Sequence, residues 1–202
     1  MPRNDTRDRL IETARELFWK QGYHATGVAE ILREAGVNSG SLYHHFDSKE
    51  DLLVAVLARY ESLLGPAVMS PAARATDDPV ERVFTVLGGY RRLLLESDFE
   101  LGCPIGNLAL ETSETGSPTV RAGIEANFAA WRSAIRDFLE PALDRFPSGT
   151  DLDEVAEFVL TVMEGGVMQA RTRRGIEPFD ASVEQLRRWF DRMTTTRRKE
   201  DR

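Results

Sequence analysis

The chain has 202 residues, 42% of them hydrophobic, so it can bury a core of ordinary size as one or two compact units. It has no apolar run near eighteen residues and no cleavable leader, which predicts a soluble cytoplasmic protein, and its single cysteine, Cys103, excludes an intrachain disulfide framework. The formal net charge of −7 argues against a nucleic-acid partner and predicts weak non-specific DNA affinity, but it does not decide the matter, because specific duplex binding depends on local contacts.

The chain begins with two amphipathic segments separated by a glycine. Asp5 or Thr6 can cap a first helix, which is expected to stop at Gly22. Thr26 is then expected to cap a second helix from Val28 to Ala35. The apolar residues of the first helix recur at helical spacing and are Leu10, Ala14, Leu17 and Phe18.

A tight turn and a very short third helix follow. Gly36 ends the second helix, as a residue without a Cβ does when it takes the left-handed conformation. Asn38 or Ser39 can accept a hydrogen bond from the free N–H groups of the next helix, and Leu42 with Phe46 give that helix an apolar side. Its other side offers small residues, hydroxyls and an imidazole, from Ser39, Gly40, Ser41, Tyr43 and His44. This pattern predicts a helix-turn-helix whose second helix suits a DNA major groove about 12 Å wide.

Two features next to this helix concern metals and phosphates. His44 and His45 are adjacent, so on a helix they point about 100° apart and cannot both ligate one metal ion; no metal or cofactor is predicted. Lys49 falls in the first turn of the next helix, where Ser48 and Asp51 have capping-box spacing. A cation there opposes the helix dipole, which favours a DNA phosphate as its partner; a solvated lysine is the alternative.

The first ~60 residues resemble the DNA-binding domain of the TetR family of bacterial transcriptional regulators. The resemblance rests on Ala14, Leu17, Phe18, Gly22-Tyr23, Thr26, Val28, Ile31, Ala35-Gly36-Val37, the run from Gly40 to Phe46, and the run from Ser48 to Leu53. The chain departs from the family pattern at Gly27 and Ser39. The resemblance implies a homodimer on double-stranded operator DNA, with contacts from Thr26, Asn38, Ser39, Gly40, Ser41, Tyr43, His44 and Lys49.

The sequence also suggests domain boundaries. Residues 1–50 are assigned to the helix-turn-helix domain, and 48–64 to a connecting helix. The proline-containing stretch 66–79 is read as a linker. Residues 65–196 are assigned to the second domain, with five helices predicted from about Asp78 to Thr196, and 197–202 to a disordered tail.

The second domain is expected to open on a central helix. That helix starts at Pro79 and contains Gly88-Gly89, which costs about 1 kcal/mol per glycine relative to alanine. Gly88-Gly89 predicts that another helix or a ligand approaches the backbone closely there, and the sequence does not tell which of these it is. A later helix, ending near Pro141, carries Phe128 and Trp131. An aromatic stripe is most often core, so only the family resemblance makes these two ligand-wall candidates.

Residues 102–111 resemble the corresponding segment of a TetR subgroup that includes sensors of the NemR and AcuR kind. Pro104 suits the first helical position, which puts Cys103 at or next to the N-cap, where a thiol tends to have a lowered pKa. Cys103 is therefore either a reactive sensor thiol or a small buried hydrophobe. Asn107 and Glu111 share a helix face and can orient a ligand, or Glu111 lies at the surface. The predicted ligand-binding residues are Cys103, Asn107, Leu108, Glu111, Phe128, Trp131 and Met163.

The last two helices are predicted to start at a Thr150 cap and at Asp180, and both have broad apolar stripes. Gly165-Gly166 indicates close backbone approach. Two such stripes, paired across a two-fold axis, make a four-helix interface, and the TetR resemblance implies that use. The predicted interface residues are Val159, Met163, Gly166, Val167, Leu186 and Phe190.

The sequence thus predicts an all-α protein of about nine helices, with an N-terminal three-helix helix-turn-helix domain and a C-terminal helical domain for ligand binding and dimerisation. The predicted function is a repressor that binds a palindromic operator as a homodimer and leaves it when an unknown small-molecule inducer binds. A thiol-based redox or electrophile sensor using Cys103, and a ligand-free DNA-binding or interaction module, are the alternatives. An enzyme and a membrane partner are not predicted, since all three histidines lie within the first 45 residues and no nucleophile signature appears.

Overall fold

The computed structural model describes the backbone of residues 3–200 and the side chains of residues 6–194. All regular structure in that range is helical, which confirms the predicted fold class. The α-helices are α1 Arg3–Gln21, α2 Val28–Ala35, α3 Ser39–His45, α4 Lys49–Leu63, α5 Ser70–Ala75, α6 Pro79–Glu96, α7 Pro104–Thr112, α8 Pro118–Leu139, α9 Leu152–Arg173 and α10 Glu177–Glu200. A 3₁₀ segment, Glu140–Arg145, follows α8.

The chain divides into two compact units. The first contains the residues up to Ser62 together with Pro104–Phe128, and the second contains Leu63–Cys103 together with the residues from Ala129 onwards. Helix α7 and the first half of α8 therefore belong with the predicted DNA-binding domain, although the sequence placed them in the second domain. The buried Asn127 shows why, because its Nδ2 donates to the Leu57 carbonyl of α4 at 3.0 Å.

The core of the first unit forms from the predicted apolar positions. Its fully buried side chains include Leu10, Ala14, Phe18, Ile31, Leu42, Leu52 and Leu53. Gly36 ends α2 with a left-handed φ of 63°, as predicted. Asn38 caps α3 by accepting from the Ser41 N–H at 2.9 Å. Local chemistry therefore sets both sides of the turn between α2 and α3.

The stretch read as a linker, 66–79, is mostly helical. A π-helical segment, Leu64–Met69, joins α4 to α5, and a proline, Pro71, lies in the first turn of α5. By length and composition alone, the continuous helical stretch Lys49–Ala75 could cross a membrane. Within this stretch, α4 supplies Leu52 and Leu53 to the core of the first unit.

Helices α9 and α10 of the second unit differ in detail from the expectation. Asp151, and not Thr150, caps α9, because its Oδ1 accepts from the N–H groups of Asp153 at 2.8 Å and Glu154 at 3.3 Å. Helix α10 begins three residues before Asp180. It continues through 197–200, where a disordered tail was expected, and the last two residues of that tail lie outside the described range.

The glycine pairs behave differently from one another. A Cβ on Gly166 would lie 3.1 Å from the Phe179 ring, which confirms close approach at that position. A Cβ on Gly88, Gly89 or Gly165 would meet nothing within 4 Å, so the expected close approach at Gly88-Gly89 is not found among the described residues. These three glycines leave open space beside α6 and α9.

Candidate DNA-binding and ligand-binding sites

Helix α3 presents one side to its own unit and the other to solvent. Leu42 is completely buried and Phe46 is 5% exposed, and both pack inward. On the other side, Tyr43 is 58% exposed, and the remaining exposed residues of this side are Asn38, Ser39, Gly40 and His44. Ser41 is half-buried. The predicted reading surface is therefore displayed outward, and its contacts with DNA remain a prediction.

Part of this surface is already used within the chain. The Asn38 Oδ1 accepts from both the backbone N–H of Ser41 at 2.9 Å and its hydroxyl at 3.1 Å. The amide nitrogen of Asn38 is the group that remains for a DNA contact. Ser39, Gly40, Tyr43 and His44 form the larger part of the exposed side.

Thr26 does not have either of its predicted roles. The residue is 1% exposed, and its hydroxyl donates to the Gly22 carbonyl at 2.7 Å and accepts from the Gln21 amide at 3.2 Å. The N-cap of α2 is Gly27, which makes no side-chain hydrogen bond. A buried hydroxyl that closes the turn between α1 and α2 is not available to a phosphate.

Lys49 also faces inward in this structure. Its amine donates to the Tyr23 carbonyl at 2.5 Å and lies 4.2 Å from the centre of the Tyr23 ring. Burial lowers the pKa of the Lys49 amine, and the negative charge of Glu111 opposes that shift. The predicted phosphate contact would require this side chain to turn outward. Ser48 and Asp51 form the expected cap of α4, with the Asp51 N–H donating to the Ser48 hydroxyl at 3.1 Å.

Comparison with known proteins decides the family. Residues 10–56 match the family described as bacterial regulatory proteins, tetR family, and residues 79–185 match the LmrA/YxaF-like transcriptional regulator C-terminal domain. The chain belongs to the TetR family. The family assignment agrees with a DNA-binding role for the N-terminal helices, and contact of α3 with DNA stays a prediction.

Individual TetR regulators agree with this assignment along almost the whole chain. The uncharacterised regulator YxaF of Bacillus subtilis is 27% identical over 91% of this chain and 94% of its own length. The transcriptional repressor DhaR of Mycobacterium sp. strain GP1 is 30% identical over 89% of both chains. A solved structure of a cysteine mutant of the regulator CifR with 26-bp operator DNA has a TM-score of 0.73 and 26% identity, covering 90% of this chain and 96% of that one. The C-terminal match is LmrA/YxaF-like, so the resemblance to the NemR and AcuR subgroup stays a prediction.

In the second unit, residues 100–103 form a short segment that contacts α9, and Cys103 is its last residue. The Arg171 Nη2 donates to the Glu100 carbonyl at 3.0 Å, and a Cβ on Gly102 would lie 2.7 Å from the Arg171 Cδ and 3.1 Å from a Val167 methyl. A side chain at position 102 would therefore require Arg171 to move. Cys103 itself is 5% exposed and immediately precedes the first residue of α7, as predicted.

Cys103 belongs to a buried polar cluster that the sequence reasoning found only in part. The Tyr90 hydroxyl donates to the Cys103 sulfur at 4.0 Å, and burial raises the pKa of Tyr90 well above its ordinary value. Burial likewise raises the pKa of Glu164, while a hydrogen bond from Cys103 opposes the shift. Among the described residues, the buried Trp131 Nε1 and Glu164 Oε1 have no hydrogen-bond partner of standard geometry, although Trp131 also interacts with Tyr90. Buried polar atoms of this kind normally have partners, so a water molecule or a ligand could bind them.

The sequence missed Tyr90 and Glu164. Glu164 carried a usable signal, because it is the one charged residue in the otherwise apolar run 162–168 of α9. The predicted ligand set is also divided between the two units. Its members Asn107, Leu108, Glu111 and Phe128 lie in the first unit, and Cys103, Trp131 and Met163 lie in the second.

The contacts of Glu111 match neither of its predicted roles, which were to orient a ligand or to lie at the surface. Its Oε2 accepts from the backbone N–H of His24 at 3.0 Å, and its own carbonyl lies 2.9 Å from the Nε2 of the His24 ring. Both contacts are within the first unit. Glu111 is thus engaged with the turn between α1 and α2, and is neither a plain surface residue nor free to orient a ligand.

The six residues predicted for the dimer interface lie inside the protomer. Val159, Met163, Gly166, Val167, Leu186 and Phe190 are all buried within the second unit. The same pair of helices exposes other apolar groups, with Phe158 42% and Met168 53% exposed. The Phe158 ring packs edge-on against Trp189 at 5.5 Å. A surface for a second copy would therefore use this outer side of α9 and α10.

Proposed function

We propose that this TetR-family regulator is a repressor that binds a palindromic operator as a homodimer in the cytoplasm and leaves it when a small molecule binds the second unit. The observation that supports DNA reading is the division of α3 into a buried side, with Leu42, and an exposed side, with Tyr43. A two-turn helix reads few bases, so two half-sites about 34–36 Å apart are needed for specificity. The named activities of DhaR and of the CifR complex agree with this proposal.

The dimer is proposed to form through the outer side of α9 and α10. Phe158, Met168 and Trp189 supply apolar area there, and Gly165 leaves room for close approach of a partner helix. Exposed apolar side chains that lie close together on a pair of long helices are typical of an isologous interface.

The inducer is proposed to bind at the cluster of Tyr90, Cys103, Trp131 and Glu164. The unpartnered atoms require an acceptor for the Trp131 N–H and a donor for the Glu164 carboxyl. A small, largely apolar molecule with a group that both donates and accepts would satisfy them. Its effect on operator binding is limited to its difference in affinity for the bound and released conformations, typically about 1–3 kcal/mol.

A thiol sensor is the second candidate, and one contact favours it. The Tyr90 hydroxyl donates to the Cys103 sulfur, and a donor on that sulfur would stabilise a thiolate. Cys103→Ser separates the two candidates. A variant that binds operator and responds to an inducer as the parent does would exclude the thiol mechanism.

The test of the proposed function begins with selection of bound sites from random duplex DNA. We expect a palindrome whose half-site centres are about one DNA turn apart. Operator affinity is then titrated at fixed salt with and without small apolar compounds that raise the melting temperature, since a ligand stabilises by RT ln(1 + [L]/Kd). Failure to enrich any site would contradict DNA reading. Identical operator affinity with every stabilising compound would contradict induction.

A further inference from the structure

We propose that Glu111 is a positioning residue for DNA binding: it fixes the turn between α1 and α2, and thereby makes operator affinity depend on how α7 is held at its start. The proposal rests on the proposed function and adds the route by which the second unit acts on the reading helices. It concerns Glu111 of α7 and the residues of the turn, Gly22 to Thr26, all of which lie in the first unit.

Glu111 binds the turn at two points. The carboxylate accepts from the backbone N–H of His24, and the His24 ring, protonated on Nε2, donates to the carbonyl of Glu111. Gly22 has a φ of +94°, and a Cβ there would lie 2.8 Å from the Glu111 Oε1. The carboxylate therefore occupies the space that a side chain on Gly22 would fill. The α7 helix and the turn are 87 residues apart in sequence, and this pair of contacts joins them.

The position of the turn between α1 and α2 sets the starts of α2 and α4, the helices on either side of α3 in the chain. The Thr26 hydroxyl donates to the Gly22 carbonyl at 2.7 Å, which sets the approach to α2. The Tyr23 carbonyl accepts from the Lys49 amine at 2.5 Å, which sets the first turn of α4. The charge of Glu111 also favours the protonated form of that amine. A shift of Glu111 would consequently disturb α2 and α4 together, and α3 lies between them in the chain.

The start of α7 is joined covalently to the segment held on α9. Pro104 is the first residue of α7 and directly follows Cys103. The residues just before it, 100–103, contact α9 through the hydrogen bond from Arg171 to the Glu100 carbonyl and through the packing of Gly102. The peptide bond between Cys103 and Pro104 is one of the places where the chain passes between the two units. Helix α7 is nine residues, about 13 Å, long, so it is short and stiff enough to transmit a displacement from one end to the other.

A double-mutant cycle on the full-length chain tests this route without an inducer. Gly102→Ala is expected to displace Arg171 and to weaken binding of the selected operator by at least about five-fold, the lower end of measured couplings. In the background of Glu111→Ala, the same substitution is expected to change the operator Kd by less than about two-fold. Gly88→Ala is the matched control, because its Cβ meets nothing, and it should leave the Kd unchanged in both backgrounds.

A replacement variant and a second measurement distinguish this route from a general loss of stability. Arg171→Ala, which frees the Glu100 carbonyl, replaces Gly102→Ala in the same cycle if the latter does not fold. Amide hydrogen exchange should show faster exchange at His24 in Glu111→Ala, with an unchanged midpoint of global unfolding. Equal effects of Gly102→Ala, or of its replacement, in both backgrounds would overturn the proposal, as would the absence of any effect in the parent. A parent chain that selects no operator would instead overturn the proposed function.

Discussion

Neighbouring residues on α3 should have opposite roles, and this can be measured. Leu42 is fully buried, so Leu42→Ala removes buried methyl groups and leaves a cavity, at a cost of about 2–5 kcal/mol in the free energy of unfolding. Tyr43 is 58% exposed, so Tyr43→Ala should change the same free energy by less than about 0.5 kcal/mol. Denaturant unfolding of both variants measures this contrast.

For operator affinity, Tyr43→Ala should have the larger effect and Leu42→Ala the smaller one. Loss of one Tyr43 contact of about 1 kcal/mol in each half-site amounts to about 2 kcal/mol for the dimer, which is roughly a thirty-fold increase in the operator Kd. Leu42→Ala should weaken operator binding only in proportion to the fraction of domain that it unfolds. Titration of the operator at one salt concentration and at a temperature where both variants remain folded measures this effect.

Two results would refute this reasoning. If Tyr43→Ala costs more than about 1 kcal/mol of stability, the exposed side of α3 packs against protein and the reading surface lies elsewhere. If Tyr43→Ala binds the operator as the parent does while remaining folded, the ring takes no part in DNA contact. His44→Ala provides a second variant on the same exposed side.

Three other predictions concern the second unit. Asp151→Ala removes the cap of α9 and should cost about 1 kcal/mol, while Thr150→Ala should cost clearly less, as measured by thermal unfolding. The pKa of Glu164 is raised by burial, so its folded form holds the proton more tightly; stability should fall as pH rises from about 4.5 through that raised pKa, and denaturation of Glu164→Gln across this range should lack the fall. Met168→Glu should shift sedimentation of the dimer towards monomer and weaken operator binding, with Phe158→Ala giving a smaller shift; an unchanged dimer in both would contradict the proposed interface.

The parts of the fold that follow from local chemistry could be predicted from the sequence. Gly36 ends a helix because of its own backbone freedom, and Asn38 caps the next because its acceptor is three residues from the N–H it binds. Leu42 and Phe46 are four residues apart and both are buried, with Phe46 at the C-cap of α3. Each of these depends on a spacing visible in the chain, and each was found where it was expected.

The parts that depend on distant residues could not be predicted in this way. Thr26 was assigned as a cap by its place in sequence, but packing buries its hydroxyl against the preceding turn. Glu111 was placed on a helix face correctly, yet its partner, His24, is 87 residues away. Glu164 and Tyr90 meet at Cys103 only once α6 and α9 are packed. Helical periodicity tells which residues share a face and does not tell what that face meets.

The charge of the chain has a consequence for how its DNA specificity arises. Residues 38–46, which include the exposed side of α3, contain no lysine or arginine, and the Lys49 amine is bound to a backbone carbonyl. If α3 reads DNA as proposed, recognition should rely on hydrogen bonds and contacts to base edges more than on neutralised phosphates. With no more than about six phosphate contacts over two half-sites, log K should fall with log salt at a slope no steeper than about −5. A steeper slope, measured by operator titration between low and physiological salt, would mean that basic residues outside α3 carry most of the binding.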